Sequence, residues 1–178
     1  MHSYLPKKYY FISKFEKNHI NNQDTNTAII FRNYKKKIDL NLIIEIKNYC
    51  KKKRIKFLLA NNIRLAINLS LDGAYIPSFN SSLKHLNYTF RNNFILIGSA
   101  HNVGEIRTKE IQNVNAIFIS SVFKKNKNYL GINKFKLLSN LTTSKVIALG
   151  GVSKKHLKKL NLLNVYGFAG ISFFENYI

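Results

Sequence analysis

Cysteine, tryptophan, proline and acidic residues are all scarce in this 178-residue chain, which has one cysteine, no tryptophan, two prolines and eight aspartates or glutamates. A single cysteine cannot form an internal disulfide, and it excludes a multi-cysteine metal site. Ile43, Ile46 and Cys50 follow one another at helical spacing. This apolar stripe predicts that Cys50 packs in the core and does not act as a reactive thiol.

Long apolar runs are also missing. No stretch approaches the roughly 20 apolar residues that cross a bilayer. Residues 1–8 lack the apolar segment of a signal peptide. We therefore expect a soluble, cytoplasmic protein with no membrane partner.

Negative charge is scarce as well, because 29 lysines and arginines face 8 acidic residues and give a formal net charge of +21. Clustered lysines gain affinity for nucleic acids by releasing counterions from phosphates. Here the basic residues are spread over most predicted helices, in a chain generally rich in lysine, asparagine and isoleucine. Charge by itself describes non-specific association, so we do not expect specific nucleic-acid binding to be the main function.

Short, nearly continuous apolar runs alternate with segments of helical spacing along the chain. Such runs are typical of strands that are covered on both faces in a parallel sheet. The eight predicted strands are 9–13, 27–32, 55–60, 73–78, 94–100, 116–123, 145–151 and 166–174. The predicted helices are 39–53, 63–71, 81–92, 103–112, 133–141 and 154–163.

This alternation predicts parallel βα units with right-handed crossovers, and eight such units close a barrel. The polar segment 14–26 has no helical period, and only residues 175–178 follow the last predicted strand. We therefore predict an α/β fold, a compact (β/α)8 TIM barrel with its first and last helices reduced or absent, in one domain covering residues 1–178. An open doubly wound sheet is the alternative, because barrels usually need about 250 residues.

Small residues end the seventh and eighth predicted strands, where TIM barrels commonly bind phosphate. Gly150 and Gly151 precede a helix with Ser153 as its candidate N-cap, so their backbone N–H groups can approach an anion. The N–H groups of Ile171 and Ser172 can complete this phosphate cup. We expect a phosphorylated small molecule to bind here, and a Gly151→Val change to abolish binding while sparing the fold.

Polar residues close the fifth predicted strand at the same rim. His101 is a candidate general acid or base, although a polar residue in this position can equally cap the following helix. Ser99 is better placed to donate a hydrogen bond to a ligand. Asn102 is a candidate cap for the helix that carries Glu105 in its first turn.

Five short motifs follow one another in a characteristic order. They are residues 72–76, 97–102, 130–132, 148–152 and 167–172. Together they resemble the strand-end motifs of the thiamine phosphate synthase/TenI family, over about residues 9–174. For the synthase branch, the resemblance implies a transferase of thiamine biosynthesis. Such an enzyme joins a hydroxymethylpyrimidine diphosphate to a thiazole phosphate and releases pyrophosphate.

The resemblance also implies roles for single residues. The four residues of the phosphate cup would hold the thiazole phosphate, and Ser99 would contact the pyrimidine. Arg32, at the end of the second strand, matches the diphosphate-binding arginine, which a planar bidentate guanidinium suits. A surface cation after a strand is the alternative reading of Arg32.

The chain departs from the family at its magnesium site. Asn61 and Asn80 occupy the positions of the two usual magnesium-binding aspartates. Mg²⁺ favours carboxylates, so the implied magnesium cofactor would have to bind without them. In the loop after the sixth strand, Lys124, Lys125 and Lys127 could replace part of the missing metal charge, or they could form a solvated basic loop.

The TenI-type tautomerase branch carries a histidine before the valine and phenylalanine that end its sixth strand, where this chain has Ser121. Only His101 could replace that histidine. Three functions therefore stay open: a synthase-like transferase, a family member that has lost catalysis and binds a phosphorylated ligand or a partner, and a basic RNA-associated protein. These patterns carry no signal for an oligomeric state.

Overall fold

Eight parallel strands form a closed barrel in chain order in the computed structural model, which describes residues 5–34 and 39–175. The strands are β1 Lys8–Ile12, β2 Thr27–Phe31, β3 Lys56–Ala60, β4 Gly73–Ile76, β5 Ile95–Ala100, β6 Ala116–Ser120, β7 Lys145–Leu149 and β8 Gly167–Gly170. Strand β1 pairs with β8, with Tyr9 opposite Ala169. The predicted TIM barrel is confirmed, and the open-sheet alternative is wrong.

Helices connect the strands around the outside of the barrel. They are α1 Lys17–Asn21, α2 Leu40–Lys52, α3 Ile63–Asn68, α4 Val103–Ile111, α5 Gly131–Asn140, α6 Leu157–Asn161 and α7 Ser172–Glu175. Short 3₁₀ turns lie at Lys84–Asn87 and Lys154–His156. Helix α1 has five residues and α7 has four, so the first and last helices are reduced, as predicted. No helix in the described ranges is long and apolar enough to span a bilayer.

Most strand residues are buried on both faces of the sheet, which explains the apolar sequences of the strands. Alternate side chains point into the barrel, where Phe118 is fully buried and its ring contacts three others. Its ring centroid lies 5.2 Å from that of Tyr9, 5.5 Å from that of Phe11 and 5.7 Å from that of Tyr75. The remaining strand side chains pack outward against the helices. The barrel therefore has a filled interior and a second apolar layer around it.

The apolar stripe of α2 belongs to that outer layer. Ile43, Ile46 and Cys50 are buried in it, as their spacing predicted. Burial raises the pKa of the Cys50 thiol to about 12. The thiol therefore stays protonated and unreactive at neutral pH.

Two segments differ from the sequence prediction. Residues 81–92 contain only the turn Lys84–Asn87 in place of a full helix. The Asn80 side chain accepts a hydrogen bond from the Ser82 N–H, a local bond of the kind that competes with helix formation. The predicted last strand ends at Gly170, and the following residues turn into α7, which buries Phe173 and Phe174.

Three smaller differences concern the segment before β2, the end of β6 and the predicted helix cap at Ser153. Residues 14–26, predicted as a loop, include the short helix α1. The predicted sixth strand ends at Ser120. Ser153 makes no capping bond, and its hydroxyl instead bonds Nδ1 of His156 at 3.0 Å.

Candidate functional site

The carboxyl ends of the strands carry a compact polar cluster at the top of the barrel. The guanidinium carbon of Arg32 lies 4.9 Å from the centroid of the Phe11 ring. The Tyr75 and Ser99 hydroxyls share a hydrogen bond of 2.8 Å. Burial raises the pKa of Tyr75, although the Ser99 hydrogen bond and the nearby Arg32 charge oppose that shift. The phenol is therefore neutral and can relay a hydrogen bond from Ser99 to a bound molecule.

Ser99 lies deeper than the sequence suggested. Only 3% of its surface is exposed, and Tyr75 covers its hydroxyl. Sequence reasoning missed the hydrogen bond of Tyr75 to Ser99, because a tyrosine in an apolar run is normally interpreted as a core residue. Only the barrel register reveals that Tyr75 and Ser99 point inward together.

Arg32 and Ile171 line one cavity of about 230 Å³. The end of β1 with the residues that follow it, His19 and Glu175 form the rest of its lining. Arg32 is only partly exposed. The structure thus brings the arginine and the end of β8 together, as expected if both contact one ligand.

The glycine pair after β7 has a left-handed backbone, with φ of +101° at Gly150 and +75° at Gly151. The Gly150 carbonyl accepts hydrogen bonds from the N–H groups of Phe123 and Lys124, at 2.8 and 3.1 Å. A Cβ on Gly151 would lie 2.6 Å from the Lys124 nitrogen. Glycine is therefore needed to pack against the loop after β6 as well as to expose backbone. The expectation that Gly151→Val spares the fold is wrong.

The amide groups at the ends of β7 and β8 are available to a ligand. The register places Leu149 opposite Ala169, so the two strand ends are neighbours. Within the described ranges, no hydrogen bond outside the regular elements uses the N–H of Gly150, Gly151, Ile171 or Ser172 as its donor. Backbone N–H groups that converge on one point can bind an anion.

The three loop lysines follow β6, and the backbone of Lys124 lies against Gly151. Lys124, Lys125 and Lys127 are exposed, and none forms an ion pair with a described residue. Ser121 holds their loop, since its hydroxyl donates to the Lys124 carbonyl at 2.9 Å. Ser121 therefore has a structural contact where a tautomerase would have its histidine.

Asn61 and Asn80 meet directly across the ends of β3 and β4. The Asn80 amide nitrogen donates to the Asn61 side-chain oxygen at 2.7 Å, and the Asn80 side-chain oxygen accepts the Ser82 N–H. Both amides are neutral and bonded, and the described residues hold no cluster of three or more metal-ligating side chains. This donor set does not fit Mg²⁺, which relies on carboxylates.

A larger cavity of about 600 Å³ opens beside the amide pair. Asn33, Asn61 and Asn62 line it together with Tyr34 and Phe79. The two rings pack edge to face, with centroids 5.6 Å apart. Burial raises the pKa of Tyr34, which keeps its phenol neutral. This side of the rim therefore offers amides and rings, whereas the β7–β8 side offers backbone donors.

His101 has a carboxylate partner that the sequence analysis did not assign. Its Nδ1 lies 3.0 Å from Oε2 of Glu105, which also accepts the His101 backbone N–H at 2.7 Å. Asn102 caps α4 by accepting the Glu105 N–H at 2.9 Å, as predicted. The i, i+4 spacing of His101 and Glu105 was the available signal. The pair can serve in proton transfer, and it also closes the start of α4.

Lys109 is a further polar residue that sequence reasoning missed. Its side chain is fully buried between α4 and β5. Its ammonium donates to the Asn80 carbonyl at 2.7 Å and to Oε1 of Gln112 at 2.8 Å. Burial lowers the pKa of Lys109 to about 8, although the nearby Glu105 carboxylate opposes the shift.

This lowered pKa predicts a pH-dependent stability. Between about pH 8 and the ordinary lysine pKa near 10.4, the unfolded chain binds more protons than the folded one, so stability rises with pH. From pH 7.5 to 9.5, the free energy of unfolding should rise by about 2 kcal/mol more in the natural protein than in Lys109→Met. Urea titrations across this range measure the difference. A Lys158→Met control on the exposed face of α6 should keep the natural slope, and equal slopes for the Lys109 variant would contradict the prediction.

Comparison with known proteins shows which family this chain resembles in sequence and fold. The family model described as "Thiamine monophosphate synthase" (TMP-TENI) matches residues 20–174. The thiamine-phosphate synthase of Methanococcus vannielii is 26% identical over 120 residues, which cover 65% of this chain and 58% of that protein. The thiamine-phosphate synthase of Pelagibacter ubique is 28% identical over 146 residues, covering 78% of this chain and 70% of that protein. This chain thus matches 58% to 70% of the length of these relatives.

A solved structure shares the barrel. The thiamine phosphate pyrophosphorylase from Pyrococcus furiosus superposes with a TM-score of 0.75 over 94% of this chain and 86% of that chain, at 19% identity. That likeness shows the fold. Because the family model extends from α1 into α7, this chain belongs to the thiamine monophosphate synthase (TMP-TENI) family.

Proposed function

We propose that the chain is a thiamine phosphate synthase-like transferase that joins a hydroxymethylpyrimidine diphosphate to a thiazole phosphate. The observation that carries this proposal is the pair of neighbouring strand ends after β7 and β8, whose N–H groups make no hydrogen bond outside the regular elements of the described ranges. One of these residues, Ile171, also lines the Arg32 cavity. Such a site suits one phosphate on the backbone and a second anionic group on the guanidinium. Family membership supports the same reaction class.

The proposed reaction breaks the bond between the pyrimidine methylene carbon and the diphosphate oxygen, and pyrophosphate leaves with the electron pair. The thiazole nitrogen lone pair then forms the new carbon–nitrogen bond. In this scheme the β7–β8 ends hold the thiazole phosphate, Arg32 binds the leaving diphosphate, and the Tyr75–Ser99 pair contacts the pyrimidine. The protein contributes chiefly by holding the two reactants together.

Asn61 and Asn80 offer magnesium no carboxylate, and the described residues hold no cluster of three or more ligating side chains. We therefore assign charge neutralisation to Arg32 and to the exposed lysines of the loop after β6. Lys124 supports this assignment most directly, because its backbone lies against Gly151. The proposed reaction gives no step to the His101–Glu105 pair, since joining the two precursors needs no catalytic base.

Turnover of both precursors, followed by pyrophosphate release, tests the proposal. We expect activity to persist in a chelator, to fall with rising salt, and to drop at least about tenfold when Lys124, Lys125 and Lys127 are all changed to alanine, because exposed charge pairs each contribute up to about 1 kcal/mol and are screened by salt. The matched control changes the exposed residues Lys51, Lys52 and Lys53 to alanine at the opposite end of the barrel. That control should retain activity.

Three other outcomes would decide against parts of this proposal. Full activity in the triple variant eliminates the role of the lysines. Loss of activity in the chelator shows that the substrate carries Mg²⁺ of its own. Tight binding of thiazole phosphate without turnover, also after Asn61→Asp and Asn80→Asp, identifies the chain as a family member that only binds its ligand.

A further inference from the structure

A buried polar network behind the barrel wall holds the loop that follows β4. The Lys109 ammonium and the Gln112 side-chain amide both donate to the Asn80 carbonyl, at 2.7 and 2.9 Å. The same Gln112 amide also donates to the Ser82 carbonyl at 2.9 Å. Further along the loop, His85 Nε2 lies 2.9 Å from the Gln112 backbone carbonyl. Helix α4 and its end thus hold the loop at three successive points.

Close packing against β5 fixes the course of the Lys109 side chain. Its stem crosses β5 at Gly98, where an added Cβ would lie 2.6 Å from Cδ of Lys109. Gly98 has an extended strand conformation, so steric room and not backbone angle calls for glycine here. A lysine with no exposed surface is unusual unless its charge is bonded. Its two acceptors meet that requirement.

We propose that Lys109 is a positioning residue that fixes the loop after β4, so that Asn80 meets Asn61 and ligand affinity at that rim depends on it. Lys109 holds the Asn80 main chain from behind, and the Asn80 side chain then bonds Asn61 in front at 2.7 Å. These two hydrogen bonds therefore link the ends of β3 and β4 without a shared cation. The ligand part of this inference rests on the proposed function, whereas the loop part does not.

The first experiment measures hydrogen exchange of the backbone N–H groups in residues 77–88 without ligand. In Lys109→Met, we expect these groups to exchange at least about tenfold faster while the strands keep their protection, because loss of a local anchor opens one segment selectively. Gly98→Ala should have the same local effect, although it leaves every hydrogen-bonding group in place. Lys158→Met is the control, and it should match the natural protein. Unchanged loop exchange in both Lys109→Met and Gly98→Ala overturns the proposal.

The second experiment is a double-mutant cycle on the affinity for hydroxymethylpyrimidine diphosphate. Lys109→Met should weaken binding at least about fivefold in the natural background and have little further effect in Asn80→Ala, because residues that act through one another are not additive. Thiazole phosphate affinity should stay unchanged, which separates a local effect from general damage. Additive losses contradict the positioning role. If the natural protein does not bind the diphosphate at all, the proposed function fails, and hydrogen exchange still decides the role of Lys109.

Discussion

Replacing Ile171 by glutamate is expected to weaken thiazole phosphate binding by about 10- to 100-fold. Ile171 lines the cavity that Arg32 also lines, and 42% of its surface is exposed. A carboxylate at this position, next to the proposed backbone site for the thiazole phosphate, repels the phosphate, and this repulsion costs on the order of 1.5–3 kcal/mol at a partly exposed rim. Isothermal titration of the phosphate measures the loss.

The matched control is Ile171→Gln, which has nearly the same size without the charge. It should bind within about threefold of the natural protein, and both variants should unfold at the natural temperature because surface changes cost little stability. Rising salt should narrow the gap between the two variants. Equal affinity of the glutamate and glutamine variants would place the phosphate elsewhere.

Replacing Phe118 by alanine is expected to lower the free energy of unfolding by about 3–5 kcal/mol. Phe118 is fully buried, and its ring contacts those of Tyr9, Phe11 and Tyr75. Its removal leaves a cavity in the centre of a closed barrel, where the paired strands cannot collapse inward. Denaturant titration should show the loss, and the melting temperature should fall by about 10 °C or more.

Phe79→Ala is the control for this second prediction, because it deletes the same ring from a side chain that is 68% exposed. It should change the free energy of unfolding by no more than about 0.5 kcal/mol. A similar cost for both variants would mean that the barrel interior is not closely packed around Phe118.

The sequence predicted the strands well because both of their faces are buried. Continuous apolar runs such as residues 116–119 and 146–149 carry that signal without help from their neighbours. The segment 81–92 was predicted wrongly for the opposite reason. Gln112 donates hydrogen bonds to the Ser82 carbonyl in this segment and to the Asn80 carbonyl just before it, across 30 and 32 residues of the chain. A local pattern cannot contain such a contact.

The candidate site was predictable only in part. The glycine pair and Arg32 could be located because strand ends in a parallel barrel share one rim. The sequence treated Asn61 and Asn80 as lost metal ligands, whereas the structure has them bonded to each other. It also could not reveal the Tyr75–Ser99 pair, since the register of neighbouring strands decides which side chains point inward together.

By itself, the sequence determined the eight-stranded barrel, the buried Cys50 and the family, because periodicity and ordered motifs are local properties of the chain. The tertiary structure alone decided that Lys109 is buried beneath Gly98 and bonded to Asn80. From the sequence, a lysine on a helix is interpreted as a solvated charge, since lysine side chains are almost always exposed. Only the packing of α4 on β5 removes it from water, and only the Asn80 and Gln112 oxygens make that burial tolerable.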